Sequence, residues 1–144
     1  MIKAEQTIAF KFKDFRISKF SYEETEKENS DLEMGFQPSG RYNENSGLYE
    51  LFFTFTATER DTNKKVIKVK SVSEFLFNQP YKFEDIPSYF FTNSIPIIFP
   101  YMRSFISTLT LQANANVLML GLIKFNNVSD PLKENTEIIK KENQ

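Results

Sequence analysis

"IIFPYMRSFISTLTLQANANVLML", residues 97–120, decides how the rest of the chain is read. Its twenty-four positions hold one ionised side chain, Arg103, and a proline, Pro100, sits where a helix should run. Phe91, Ile95, Ile98, Met102, Phe105 and Leu109 recur at helical spacing, the stripe of an amphipathic helix. Ile97, Phe99, Tyr101, Ile106 and Leu111 widen that stripe beyond one face, so the helix needs apolar partners on more than one side. Asp85 offers a cap, Pro87 a first-turn proline, and Asn114 and Asn116 an end, which sets the main helix at 85–113. Pro96 and Pro100 each cost about 3 kcal/mol in a regular helix, which predicts a kink or a short helix joined to a longer one. The segment 117–127, interrupted by Gly121, reads as an extended apolar loop, and 129–144 as a short C-terminal helix with a fraying tail.

Before the helix the period is two. Ile8, Phe10 and Phe12 share a face, Phe15 and Ile17 fall on the opposite parity, and Phe20 and Tyr22 return, which predicts a strand with a bulge near Lys13 and Asp14. Leu32, Met34 and Phe36 alternate in a second strand, where Pro38, Gly35 and Gly40 predict an edge position and an early end. A turn at 43–47 leads to the clearest strand, with Tyr49, Leu51, Phe53, Phe55 and Ala57 on one face. A tight turn after it leads to Ile67 and Val69 alternating with Lys68 and Lys70. The reading is a four-stranded antiparallel meander over 1–80 followed by helices, a single α+β domain of 144 residues.

Sixteen phenylalanines, each worth about 1.5–3 kcal/mol when buried, are many for a chain of this length. They predict either an aromatic-rich core or an apolar interface. A net charge of −1 supplies no global field toward nucleic acid or an anionic membrane. With no cysteine and no histidine, the common nucleophile–base pairs and zinc sites are absent, and neither phosphate-cradling glycine motif occurs. The longest apolar run, 117–123, is well short of the roughly 18–20 residues a bilayer span needs. The expectation is a cytoplasmic protein with no catalytic residues, no metal, no cofactor, no nucleic-acid partner and no membrane insertion.

The order of strands, proline-bearing helix, apolar loop and final helix resembles the SecB family of export chaperones. The residues that carry the likeness are Ile97, Ile98, Phe99, Pro100, Tyr101, Met102, Arg103 and Ile106, then Lys124, Phe125 and Asn126, with Pro96 before them and the strand LYELFFTFTATE upstream. The resemblance implies a homotetramer, a dimer of dimers, that holds unfolded polypeptides or preproteins in apolar grooves for protein export and translocation, without ATP. It also implies acidic residues on the first and fourth strands that dock the SecA motor. Here Lys19 and Lys70 stand at those positions, Lys68 replaces an apolar neighbour, and Glu23 keeps one acid. Reversed charges would repel the same partner, which speaks against SecA docking.

From this reading Leu32, Met34, Phe36, Met119, Leu120, Leu122, Ile138 and Ile139 are expected to line a client groove. Ile98, Tyr101, Met102 and Phe105 are expected at an oligomer interface, and Lys19, Glu23, Lys68 and Lys70 form a candidate partner-docking surface. A general holdase leads. A SecB-like subunit dedicated to one partner, such as a toxin–antitoxin-associated chaperone, is the alternative, followed by a carrier for a lipid-like ligand.

Overall fold

The computed structural model describes residues 9–121, 123–125 and 127–140. Four long strands come first: β1 (Phe10–Tyr22), β2 (Leu32–Asn43), β3 (Leu48–Glu59) and β4 (Lys65–Phe77). A 3₁₀ turn at Phe83–Asp85 leads to α1 (Ser88–Gln112), and the chain closes with α2 (Ser129–Glu134) and a fifth strand, β5 (Thr136–Ile139). The architecture is α+β, with a five-stranded sheet in the order β1-β4-β3-β2-β5 and α1 laid over one face.

Two features of the sheet differ from the meander expected. β1 pairs antiparallel with β4, not with its sequence neighbour β2, so the first four strands form a Greek key. The long polar connection 23–31 makes this possible, because it can cross the ends of β4 and β3 where a short turn could not. The expected tail helix ends at Glu134, and Thr136–Ile139 adds instead as a parallel strand beside residues 40–43 of β2. Pro38 and Gly40 do not stop β2 early; it runs on to Asn43, and Pro38 lies in the stretch of edge that β5 leaves uncovered.

The bulge expected in β1 is present. Register shifts lie between Phe12 and Asp14 and again between Ile17 and Lys19. The two shifts bring Phe10, Phe12, Phe15, Ile17 and Tyr22 against the core in spite of their changing parity. Opposite them, β3 buries Tyr49, Leu51, Phe53, Phe55 and Ala57 completely. Ser71 and Ser73 of β4 sit between large neighbours, with Phe15, Ile17, Leu51 and Phe53 as their cross-strand partners. Gly40 is required by close approach: a Cβ there would meet the Tyr49 hydroxyl at 2.2 Å. That hydroxyl shares a 2.6 Å hydrogen bond with Thr136 Oγ1, which ties β5 to β3 across β2. Gly47 takes a φ of +77° in the β2–β3 turn, a conformation that suits glycine.

α1 begins at Ser88, three residues after Asp85, which belongs to the 3₁₀ turn; Pro87 occupies the cap position with extended backbone. It then runs for 25 residues without interruption through Pro96 and Pro100. The carbonyls that lose a donor are those of Thr92 and Pro96, and both residues are exposed, so water can take the place of the missing bonds. Asn114, with φ of 57°, turns the chain out of the helix as expected of an asparagine. Among the described residues, no helix is long and apolar enough to cross a membrane.

The phenylalanines are mostly core. Phe90 packs edge-on against Phe10, Tyr49, Phe75 and Phe77 at centroid distances of 5.1, 4.7, 5.4 and 4.9 Å. Phe20 alone of the sixteen is exposed. The apolar groups left outside are chiefly tyrosine, methionine and aliphatic side chains: Tyr89, Tyr101, Met34, Ile97, Leu111, Val117, Met119 and Ile139.

Candidate functional site

At the end of the sheet where β1 stops, α1 also stops, and the two layers part. Between them lies a pocket of about 330 Å³. Tyr22, Leu32, Met34, Val66 and Ile67 form its floor from β1, β2 and β4; Thr110, Val117 and Leu118 form its roof. Thr25, Asn29 and Ser30 of the β1–β2 connection form its side. It is apolar within and polar at the rim.

The roof is clipped to α1 by two short polar side chains. The Leu118 N–H donates to Thr110 Oγ1 at 3.0 Å, and Thr110 Oγ1 donates to the Ile106 carbonyl at 3.0 Å. Ser107 Oγ donates to the Leu118 carbonyl at 3.2 Å. These bonds hold 117–120 extended, so its side chains alternate: Leu118 is half-buried and Leu120 buried, while Val117 and Met119 are exposed. Further along, Phe125 closes the layer over Phe99, Phe36 and Phe53 at 4.9, 5.6 and 6.1 Å.

The side wall is held by a buried carboxylate. Glu59, at the end of β3, is fully shielded from solvent. It accepts hydrogen bonds from the hydroxyls of Ser30 and Thr62, and from the N–H groups of Glu26 and Lys27 at 3.3 and 3.4 Å. The bonds from Ser30 and Thr62 lead in lowering its pKa, to about 2, against the opposing effect of desolvation. Lys64 reinforces the wall from outside through Glu26 at 3.2 Å and Glu23 at 3.8 Å. The connection 23–31 is mostly exposed, yet it is tied to Glu59 at Glu26, Lys27 and Ser30.

The structure divides the expected groove residues. Leu32 and Met34 line the pocket. Phe36 lies further along β2, stacked on Phe53 at 5.3 Å, and belongs to the closed part of the core. Met119 is 78% exposed, beside the pocket and not in it, and Leu120 points into the core at 4% exposure. Leu122 lies outside the described residues. Ile138 and Ile139 sit on β5 at the far edge of the sheet, paired with Tyr42 and Asn43, not on a helix over the groove. Of the expected interface residues, Ile98 and Met102 are fully buried beneath α1 in a single chain. Tyr101 and Phe105 remain at the surface: Tyr101 stacks on Phe12 and Phe15 at 5.6 and 5.4 Å, and Phe105 meets Phe20 at 5.3 Å. Glu23 pairs with Lys64 at 3.8 Å and makes no ion pair with Lys19, Lys68 or Lys70.

Sequence reasoning missed Tyr22, Val66, Ile67, Val117 and Leu118 as lining residues, and Glu59 as the anchor of the wall. The available signal was Glu59 itself, a carboxylate at the end of the most apolar strand with Ser30 and Thr62 on the loops beside it. Among the described residues, no group of three carboxylates, histidines or cysteines comes together as a metal site.

No family model matches the chain, and no curated protein matches it in sequence. Solved structures do. The Mycobacterium tuberculosis SecB-like chaperone Rv1957, in complex with a ChAD peptide from the Rv1956 HigA1 antitoxin, aligns with TM-score 0.66 at 13% identity, covering 81% of this chain and 88% of that one. A protein of unknown function from Streptococcus agalactiae aligns with TM-score 0.41 at 10% identity over 81% of this chain and 100% of that one, too loosely to argue from. The fold is SecB-like α+β.

Proposed function

We propose that this chain is a polypeptide-binding chaperone that holds extended apolar segments without chemistry and without nucleotide. The observation that carries the reading is the pocket between the parting layers, continuous with exposed Met34, Val117 and Met119, on a SecB-like fold. Its volume, about 330 Å³, has room for a large apolar side chain. A segment would place such a side chain against Leu32, Ile67 and Leu118, with flexible methionines at the mouth adapting to different sequences. Release needs only dissociation, since nothing is bonded. Aromatic Tyr101 and Phe105, with Phe20 of β1, form the apolar strip through which copies assemble, as a dimer or as a tetramer built from dimers, in the cytoplasm.

Two clients are in play. A general holdase would accept many unfolded or pre-export chains. A dedicated chaperone would accept one, and two observations favour keeping this second reading: Rv1957 was solved with an antitoxin peptide, and lysines stand where the resemblance implies an acidic SecA-docking surface. The deciding experiment presents several unrelated denatured proteins and follows aggregation by light scattering. Near-stoichiometric protection of all of them identifies a holdase, and protection of one identifies a dedicated subunit. Protection of none, by a protein that also ignores short apolar peptides, overturns the proposal. A lipid-like ligand retained in native mass spectrometry would replace it with the carrier reading.

A further inference from the structure

On the face of the sheet turned away from α1, two arginines each hold two carboxylates. Arg16 meets Glu74 at 3.6 Å and Asp14 at 3.7 Å; Arg41 meets Glu137 at 3.2 Å and Glu50 at 3.8 Å. Lys11 and Glu33 on this face have no such partner among the described residues, and neither do four lysines gathered in one area. Lys68 and Lys70 alternate with buried Ile67 and Val69 on β4 and so point outward. Lys19 lies directly opposite Lys70 on β1, and Lys65 opposite Thr58 on β3. Among the described residues, none of these four lysines makes an ion pair with a carboxylate. Like charges facing each other across a strand pair destabilise a sheet. Lys65 first, then Lys70, then desolvation and Lys19, hold the Lys68 ammonium below the usual lysine range. Between the lysines stand only hydroxyl side chains: Thr54 opposite Lys70, Thr56 and Ser21 opposite Lys68.

We propose that the outer patch of Lys19, Lys65, Lys68 and Lys70 docks an acidic, extended polypeptide segment of a second protein. Lys68 and Lys70 repeat about every 7 Å along β4, the rise of two strand residues, so a segment with a carboxylate at every second position matches them in register. The threonines and Ser21 can donate to the same carboxylates. The patch favours a protein over a nucleic acid because it lacks arginine forks and stacking rings. Phe52, the aromatic residue of β3 that faces this side, is covered by Arg41 at 5.8 Å. The site is separate from the pocket, on the opposite face of the sheet, so the two can be occupied together and tested apart.

The test is fluorescence anisotropy with a labelled peptide of alternating Glu and Thr, its Gln–Thr counterpart, and oligo-dT. The acidic peptide should bind, and both added salt and the triple variant Lys19→Gln/Lys68→Gln/Lys70→Gln should weaken binding by about tenfold or more. The same variant should melt no lower than the parent, because it removes repulsion. Failure of the acidic peptide to bind, equal binding of the Gln–Thr peptide, tighter binding of oligo-dT, or an unaffected triple variant would each overturn the proposal. So would a fall in oligomer mass of the variant without any peptide binding, which would assign the patch to a second copy of this chain.

Discussion

The two ends of the sheet are built from the same strands under the same helix, yet one is shut and the other is open. At the shut end Phe90 drops into a ring of Phe10, Tyr49, Phe75 and Phe77, and Tyr42 donates to the Tyr81 carbonyl at 2.7 Å. Burial, with Glu44 and Tyr81 adding to it, pushes the Tyr42 phenol up to about 12, so it stays neutral there. At the open end α1 offers Ser107 and Thr110 instead of rings, and these spend their hydrogen bonds on holding the following segment away from the sheet. Aromatic side chains close a gap between layers; short hydroxyl side chains keep one. The contrast puts the aromatic packing at one end and the pocket at the other.

Each end can be broken separately, and the expected effects fall in a clear order. Phe90→Ala at the shut end should cost about 3–5 kcal/mol in chemical denaturation, the range for deleting a buried phenylalanine. Glu59→Gln should loosen residues 23–31, seen as faster amide exchange there and severalfold weaker client protection, with the strands still ordered. The same variant also tests the pH response. Because the folded Glu59 carboxyl is lowered to about 2, its contribution is fully present above its ordinary pKa near 4.5 and is lost as pH falls toward 2. Glu59→Gln should therefore flatten the acid limb of the stability profile. Thr110→Val should cost about 1 kcal/mol by removing the hydroxyl that receives the Leu118 N–H. It should also change client protection more than its stability loss explains. Met34→Asp with Val117→Asp should leave stability within about 1 kcal/mol, since both side chains are exposed. It should nevertheless abolish protection of denatured substrates; full protection by this variant would separate the pocket from the function. Tyr101→Asp should lower the oligomer mass in light scattering and leave each subunit folded.

Local periodicity carried most of the fold. The β1 bulge, the β3 face and the end of α1 at Asn114 were all legible, because alternation and turn chemistry act between near neighbours. What could not be read is what distant residues decide. The pairing of β1 with β4 depends on a connection that crosses two strand ends, and nothing within β1 specifies which partner it takes. The sequence 136–139 is compatible with a helix until the open edge of β2 and the Tyr49–Thr136 bond are known. For the candidate site, Leu32 and Met34 were recoverable from their strand, whereas the loop residues were assigned in the wrong phase. Leu120 looked like groove and is core, because the clip at Ser107 and Thr110 fixes which of two alternating sets points inward. That phase is set by a contact between two segments, and apolar residues on both parities gave no warning of it.

The Greek-key order has a consequence for how the chain is made. β1 leaves the ribosome before β4, and that partner is complete only once Phe77 has followed. At roughly 5–20 residues per second, a nascent chain carries an unsatisfied, phenylalanine-rich strand for several seconds. During translation, this protein itself passes through a state that a holding chaperone would recognise.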